Sequence, residues 1–556
     1  MPVTSSAQSA TGGLCPPAYT PAVHRISGWQ SAALCLAALA SVPLLVLLAS
    51  FLTPEREIWH HLSEHVLTGL ATNTLTLLLC VLPLTALLGV GLAWLTGACE
   101  YPGRNFFTWA LTLPFAIPPY VFAFVYLGFF DFSGPVQTLL RTWFPSMEFI
   151  EVRNVFGVSA ILSLAFYPYV YLLCRSAFLT QGRTAMEAAR TLGLSPWKAF
   201  FKVSLPMARP WIAAGLMLVC MESLADFGAV AIFNYDTFTT AIYKAWFGLF
   251  SLKAASQLSS LLVLFVLIIL TIEQHLRNRL RFTQAGRNSG KGHRMQLTGF
   301  AAWGAFCLSA LVFTLAFALP CLQLAAWAWK AFSPEILRYA ELAQNTLTLG
   351  LITALATTAA SVMLAYARRT APGRTMNWAT RAATLGYAMP GTVLAVGVFI
   401  PAAWLDNTML DMVAHLTGWE LGPFIQGSLG LLITAYAIRF LAAGFGSADS
   451  AMQRITPSVI EAARTLGCHG TALLRRIYLP MTRTGLFTAA ILVLVDVMKE
   501  MPVTLMMRPF GWDTLAVKIY EFTSEGEWEQ AAIPALFLIL AGLVPVILLT
   551  RKTESR

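Results

Sequence analysis

A chain of 556 residues could hold several soluble domains, but 57% of this one is hydrophobic and only 12% is charged. That is about half the charged share of an ordinary soluble domain, too little to cover its apolar surface in water, so lipid is the expected solvent. The formal net charge of +10 would suit a nucleic-acid partner if it were gathered for one, but its distribution along the chain excludes that reading.

A spanning helix needs about 20 mostly apolar residues to cross roughly 30 Å of hydrocarbon. Twelve runs qualify, at 31–53, 70–97, 106–130, 155–179, 211–234, 255–273, 300–329, 345–367, 382–404, 427–446, 485–505 and 531–550. Pro168 interrupts the fourth and Arg439 the tenth. Prolines inside these runs are tolerable, because neighbouring helices can satisfy the freed carbonyls. The first run is too long for a signal-peptide core and no A-x-A site follows it, so it reads as an uncleaved anchor.

With a cytoplasmic N-terminus and alternating spans, the basic clusters fall on the cytoplasmic side. They are Arg277, Arg279 and Arg281 through Arg294, then Arg368, Arg369, Arg374 and Arg381, and finally Arg551 and Lys552. The outer loops carry acids instead: Asp406, Asp411 and Glu420 in one, and Asp513, Glu521, Glu525, Glu527 and Glu529 in another. Cytoplasmic termini and a multi-pass topology follow. The nine cysteines are scattered without a CxxC pair, and most lie in apolar runs, where cysteine behaves as a small hydrophobe. No cofactor is expected.

The chain repeats itself. Residues 187–206, EAARTLGLSPWKAFFKVSLP, return 274 positions later as EAARTLGCHGTALLRRIYLP at 461–480. Asn73 to Leu77 returns as Asn345 to Leu349, Pro102-Gly103-Arg104 as Pro372-Gly373-Arg374, and Pro118 as Pro390. Glu222 and Asp226 align with Asp496 and Glu500. Each half has an even number of spans, so the halves are parallel repeats about an axis along the membrane normal. The expected organisation is a tail at 1–30, a first repeat at 31–273, a cytoplasmic linker at 274–299, a second repeat at 300–550 and a tail at 551–556. The linker stretch GRNSGKGH is not a phosphate loop, because its spacing is wrong and no Ser or Thr follows Lys291.

The repeated EAARTLG segment is a polar, basic interruption between spans, once per half. Gly193 and Gly467 can supply the left-handed turn that ends a short helix, and a second amphipathic stretch closes at Pro206 or Pro480. Helix, turn and helix below the membrane would form a docking surface. EAA, three residues, Gly, nine residues, a branched aliphatic, one residue and Leu-Pro resembles the signature loop of bacterial ABC importer permeases. Both copies fit: Glu187, Ala188, Ala189, Gly193, Val203, Leu205 and Pro206, then Glu461, Ala462, Ala463, Gly467, Ile477, Leu479 and Pro480.

The resemblance implies an all-α integral membrane protein of about twelve transmembrane helices in two parallel six-helix repeats, in a bacterial inner membrane. It implies two copies of a separate cytoplasmic ABC ATPase and a periplasmic substrate-binding protein as partners. A single permease chain suffices, no nucleic acid is involved, and the chain is not itself an enzyme. In that family the short helix before the glycine sits in a groove of the ATPase and transmits its closure.

ESLADFGAVAIF at 222–233 and DVMKEMPVTLMMRPFGWDTLAVKIYEF at 496–522 look like the ferric iron permease group. Permeases for thiamine and aminoethylphosphonate are related and stay open as alternatives, as does an ion-coupled secondary transporter. Glu222 and Asp226 share one helical face, and Asp496, Lys499 and Glu500 another. Acids in spanning segments usually face a bundle interior or a wet path, so these five are the candidate translocation residues, although Lys499 could simply neutralise Asp496 or Glu500. His61 and His65, with Glu64 between them, have metal-ligand spacing, but a helical loop is the plainer reading and no metal site is assigned.

Overall fold

The computed structural model describes residues 28–52, 59, 60, 62–144, 151–180, 189, 191–279, 294–331 and 336–554. The first half contains α1 (Gly28–Ser50), α2 (Leu67–Ala98), α3 (Pro119–Phe130), α4 (Val155–Thr180), α5 (Leu205–Ala225) and α6 (Leu252–Arg279). The second contains α7 (Phe300–Lys330), α8 (Ile336–Thr370), α9 (Gly391–Thr417), α10 (Leu429–Gln453), α11 (Leu479–Lys499) and α12 (Trp528–Glu554). Each of the twelve apolar runs overlaps one of these helices. Among the described residues ten helices are long and apolar enough to cross a bilayer. An eleventh is a bent pair around α3, and within α12 the apolar helix Trp528–Val544 is shorter.

Both halves use the same packing. The α2 helix lies against α4 and α5, and α8 lies against α10 and α11. Helices in lipid gain nothing from hydrophobic transfer between them, so small residues that bring backbones close carry the association. A Cβ at Gly89 would sit 2.6 Å from Val170 Cβ, and one at Gly215 would sit 2.9 Å from Val170 Cα. The second half repeats this at Gly350 against Leu494 and Gly485 against Ala451.

The first helix of each half is exchanged. α1 packs on α6 of its own half, and also on α9 and the helix Arg374–Thr384 of the other. α7 packs on α12 of its own half and reaches across to α3. The end of the linker is clamped as well. Met295–Gln296 pairs in parallel with Cys99–Glu100, and Glu100 accepts from Arg104 at 3.1 Å and from Arg294 at 3.2 Å.

Four expected spans are not continuous. The run 106–130 is a short helix, Arg104–Ala110, and a 3-10 turn, Leu113–Ala116, followed by a 94° bend before α3. The run 382–404 repeats this as Arg374–Thr384, a turn at Leu385–Ala388, and α9. A residue before proline is pushed out of the helical region, and Ile117 before Pro118 and Met389 before Pro390 are both extended. These two prolines break their spans where the sequence suggested tolerance. The runs 211–234 and 485–505 also stop early, at Ala225 and Lys499, with Asp226 and Glu500 extended. Asp226 and Glu500 therefore terminate helices and do not share a helical face with Glu222 and Asp496.

Asp406, expected in an outer loop, lies inside α9 and is fully buried. It accepts the backbone N–H groups of Phe424, Ile425 and Gln426 at 3.3, 3.1 and 2.9 Å. The acidic segment between α11 and α12 is partly self-neutralised. Arg508 pairs with Asp513 at 2.9 Å and with Glu521 at 2.7 Å, and Lys518 reaches Glu521 at 3.0 Å.

Two outcomes follow from this packing. Gly89→Val should overpack α2 against α4 and cost about 1–3 kcal/mol, whereas Gly91→Ala, which meets nothing within 4 Å, should be neutral; thermal unfolding in detergent reads both. Glu521 lies on the short helix Leu515–Ser524, outside the spanning helices. Burial pushes its carboxyl up, but hydrogen bonds from Arg508 and Lys518 outweigh burial and hold it below its ordinary value. A depressed carboxyl stabilises above its unfolded value and loses that contribution as pH falls through the folded one. The Tm advantage of wild type over Glu521→Gln should therefore be full near neutrality and shrink as pH falls below about 4.5.

Candidate translocation pathway and coupling loops

The helix breaks converge. Residues around Pro118, Asp226, Pro390 and Glu500 border one cavity of about 440 Å³ between the halves. Glu222, Asp226, Asp496, Lys499 and Glu500 all line it, so the structure brings together the five residues singled out in the sequence. It adds Arg439, Tyr120, Tyr169 and Tyr387. Arg439 carried a signal, as a base inside an apolar run. The tyrosines carried none, because an aromatic in such a run is ordinary.

The two break segments are built alike. The extended Asp226 ends α5 and accepts the Val230 N–H at 3.1 Å, capping the short helix Gly228–Ile232. The extended Glu500 ends α11 and accepts the Val503 N–H at 3.3 Å at the head of the helix Pro502–Met507. Each carboxylate satisfies a backbone donor that the break exposes, which matters where no water competes. Gly228 permits the close approach: a Cβ there would meet Tyr120 Cβ at 2.7 Å and Met501 Cε at 2.8 Å. Gly391 does the same, with Glu500 Oε1 at 2.7 Å and Arg439 Nη1 at 3.0 Å from the added atom.

The charges are distributed unequally. Arg439 on α10 pairs with Glu500 at 3.1 Å, both largely buried, and donates to the Met389 carbonyl at 3.2 Å. Lys499 donates to the Phe115 carbonyl at 2.7 Å and attracts Asp496 one turn earlier. Its expected role of neutralising Glu500 belongs instead to Arg439. Glu222 accepts from the Tyr387 hydroxyl at 2.9 Å, with Tyr169 as a second hydroxyl beside it. Both bases come from the second half, and both serve carbonyls exposed at the proline breaks.

On the other side of the fold lie the repeated loops. In the second, Glu461, Ala462 and Ala463 sit on the helix Pro457–Thr465, with Ala463 buried and the other two exposed. Gly467 has φ +81° and Gly193 φ +84°, the left-handed turn that glycine supplies without strain. The Cys468 N–H reaches the Ala463 carbonyl at 2.9 Å, and the Leu194 N–H reaches that of Ala189 at 3.1 Å. This is the same 6→1 helix stop in both halves. Glu187 and Ala188 lie outside the described residues; Ala189 is buried like its counterpart.

Leu192 and Leu466, just before each glycine, are each 83% exposed, an apolar pair that the spacing of the motif did not single out. Pro206 and Pro480 do not close a second helix. They stand at the second position of α5 and α11, after π-turns at Phe200–Ser204 and Leu474–Tyr478. There Leu205 and Leu479 bond five residues back, and the widened turn accommodates the N–H that proline lacks. His65 lies 3.9 Å from Glu64, and His61 is outside the described residues. Among the described residues no three His, Cys, Asp or Glu side chains gather as metal ligands.

Removing one partner of a buried pair strands the other charge, at about 3–5 kcal/mol. Arg439→Met should therefore destabilise on that scale, and Arg439→Met with Glu500→Gln should be less destabilised than the single variant. A double-mutant cycle on unfolding in detergent measures the coupling.

Comparison with known proteins agrees with the duplication. Residues 89–282 and 357–552 each match the family described as binding-protein-dependent transport system inner membrane component. The Fe(3+)-transport system permease protein FbpB 2 of Haemophilus influenzae is 26% identical over 491 residues, covering 87% of this chain and 89% of that protein. The molybdenum transport system permease protein ModB of Escherichia coli is 29% identical over 205 residues, covering 36% of this chain and 88% of that protein. A solved bacterial ABC transporter involved in alginate import matches 43% of this chain at 19% identity, with a TM-score of 0.37. Two matches that together span most of the polypeptide, one in each half, make this chain a member of the binding-protein-dependent transport system inner membrane component family.

Proposed function

We propose that this chain is the membrane-spanning permease of an ATP-driven importer whose cargo is ferric iron. The observation that carries the cargo is the extent of the likeness to the Haemophilus influenzae Fe(3+) permease: it runs through both halves and nearly the full length of each protein. The likeness to ModB covers one unit only. The acid-rich cavity between the halves suits a cation, and hard, highly charged cations favour oxygen donors.

The coupling loops support an external motor. Glu187, Ala188, Ala189, Gly193, Leu205 and Pro206, with Glu461, Ala462, Ala463, Gly467, Leu479 and Pro480, form two docking sites for two copies of a separate cytoplasmic ATPase. The exposed Leu192 and Leu466 supply apolar anchors on those surfaces. From each loop the helix continues through a π-turn into α5 or α11, which end at Asp226 and Glu500. Movement of a docked loop is thus delivered along one helix to the cavity. ATP favours the closed motor, the closed motor favours one membrane state, and the halves alternate between two openings.

Glu222, Asp226, Asp496, Lys499 and Glu500 border the path. A periplasmic binding protein delivers the cargo, and one permease chain serves the complex. The organisation that fits is a cytoplasmic tail at 1–30, repeats at 31–273 and 300–550, a cytoplasmic linker at 274–299 and a cytoplasmic tail at 551–556, in a bacterial inner membrane.

The test is uptake of radiolabelled Fe³⁺ at limiting iron in cells lacking the gene, with thiamine uptake as the control. Loss of iron uptake alone, restored by the intact gene, is the expected result; loss of thiamine uptake alone would discard the ferric assignment. A Cβ at Gly193 or Gly467 meets nothing within 4 Å, so Gly193→Trp with Gly467→Trp alters the docking surface with only local backbone strain. That double variant should reach the membrane in normal amount and lower uptake by about tenfold or more. Undiminished uptake would remove the motor from the mechanism and point to an ion-coupled transporter.

A further inference from the structure

The two sides of the cavity are not equivalent. On the second half's side, Glu500 is held by Arg439 and Asp496 has Lys499 one turn away. On the first half's side, Glu222 and Asp226 make no ion pair among the described residues, and their hydrogen-bond donors are neutral: the Tyr387 hydroxyl and the Val230 N–H. Position 225, which aligns with Lys499, is alanine. Four carboxylates face two bases in one cavity; the first half's two acids have no base in contact, and Arg439 acts on Glu222 only from a distance.

A second observation is independent of charge. Tyr120 lines the same cavity and is 5% exposed, yet its hydroxyl has no hydrogen-bond partner. Leaving a buried polar group unsatisfied costs about 1–3 kcal/mol, and an apolar phenylalanine would avoid that cost. Packing against Gly228 fixes the ring at the break beside Asp226. With Tyr169 and Tyr387, three phenols and two unpaired carboxylates line the cavity.

We propose that Glu222, Asp226, Tyr120, Tyr169 and Tyr387 form a transient oxygen-donor station for the trivalent cation in the cavity between the halves. The proposal rests on the ferric reading and specifies where and by what atoms the cargo is held. Among the described residues no three His, Cys, Asp or Glu side chains are grouped closely enough to hold a metal, so a station here needs phenol oxygens in its donor set. Such oxygen donors suit a hard cation. The iron stays ferric: each phenol that ligates breaks its O–H bond, forms an Fe–O bond and releases the proton to cavity water. A station on a route must bind well enough to be entered and weakly enough to be left, which suits donors drawn from several helices.

The experiment uses the full-length permease with its ATPase in lipid nanodiscs, titrated with Fe³⁺-nitrilotriacetate. Bound iron is measured by dialysis, and phenolate ligation by its visible charge-transfer band. Wild type should bind iron saturably and show the band. Glu222→Gln should weaken binding by about tenfold, and Tyr120→Phe, Tyr169→Phe and Tyr387→Phe should each reduce the band. Tyr126→Phe, whose hydroxyl bonds the Leu315 carbonyl elsewhere, should keep it.

Tyr120→Phe decides the matter, because its hydroxyl has no bond to lose. Thermal stability should hold or rise while iron binding falls several-fold. Iron binding unchanged in Tyr120→Phe, or a wild type that takes up Fe³⁺ in cells but shows no band, would overturn the station and leave the cargo standing. A wild type that takes up no Fe³⁺ would overturn the cargo and the station together.

Discussion

The structure depends on one constraint: inside hydrocarbon, every backbone N–H and C=O needs a partner in the protein. Four places interrupt helical continuity within the apolar runs, at Pro118, Asp226, Pro390 and Glu500. Each exposes groups that lipid would leave unsatisfied, so all four must turn inward. The side chains that answer them are polar by necessity. Asp226 and Glu500 take the N–H groups of the short helices that follow, while Lys499 and Arg439 donate to the carbonyls of Phe115 and Met389. The polar cavity and the broken backbone are therefore one feature seen from two sides.

The exchange of first helices gives that interior its walls. α1 crosses to α9, and α7 crosses to α3, so each half is completed by a helix from the other. These crossed helices interlock the two halves around the breaks. Glycine contacts inside each half, such as Gly215 on Val170, keep α4 and α5 together.

What the sequence could express was set by periodicity and repetition. The duplicated EAARTLG letters located both loops, and the positive φ of Gly193 and Gly467 followed from a helix that must stop short. The five charged residues of the cavity were legible because ionisable groups in apolar runs are costly. The breaks were not: hydropathy integrates over 20 residues and is blind to one extended residue at Asp226 or Met389. Tyr120 was equally silent, since its distinction is a missing partner that exists only once α3 packs against Gly228. The burial of Asp406 was missed because α9 extends beyond its apolar run to Thr417.

The unequal cavity bears on why the two units share one polypeptide. In an assembly of two identical subunits, any residue placed beside the symmetry axis is written twice, once on each wall. A lysine at position 499 would then face a second lysine where Ala225 now stands, and the two cations would repel across the cavity. Covalent duplication releases the copies to diverge. One wall can acquire bases that brace the backbone while the other keeps acids with no base in contact. Fusion thus gives the cavity an asymmetry that no exact homodimer could possess.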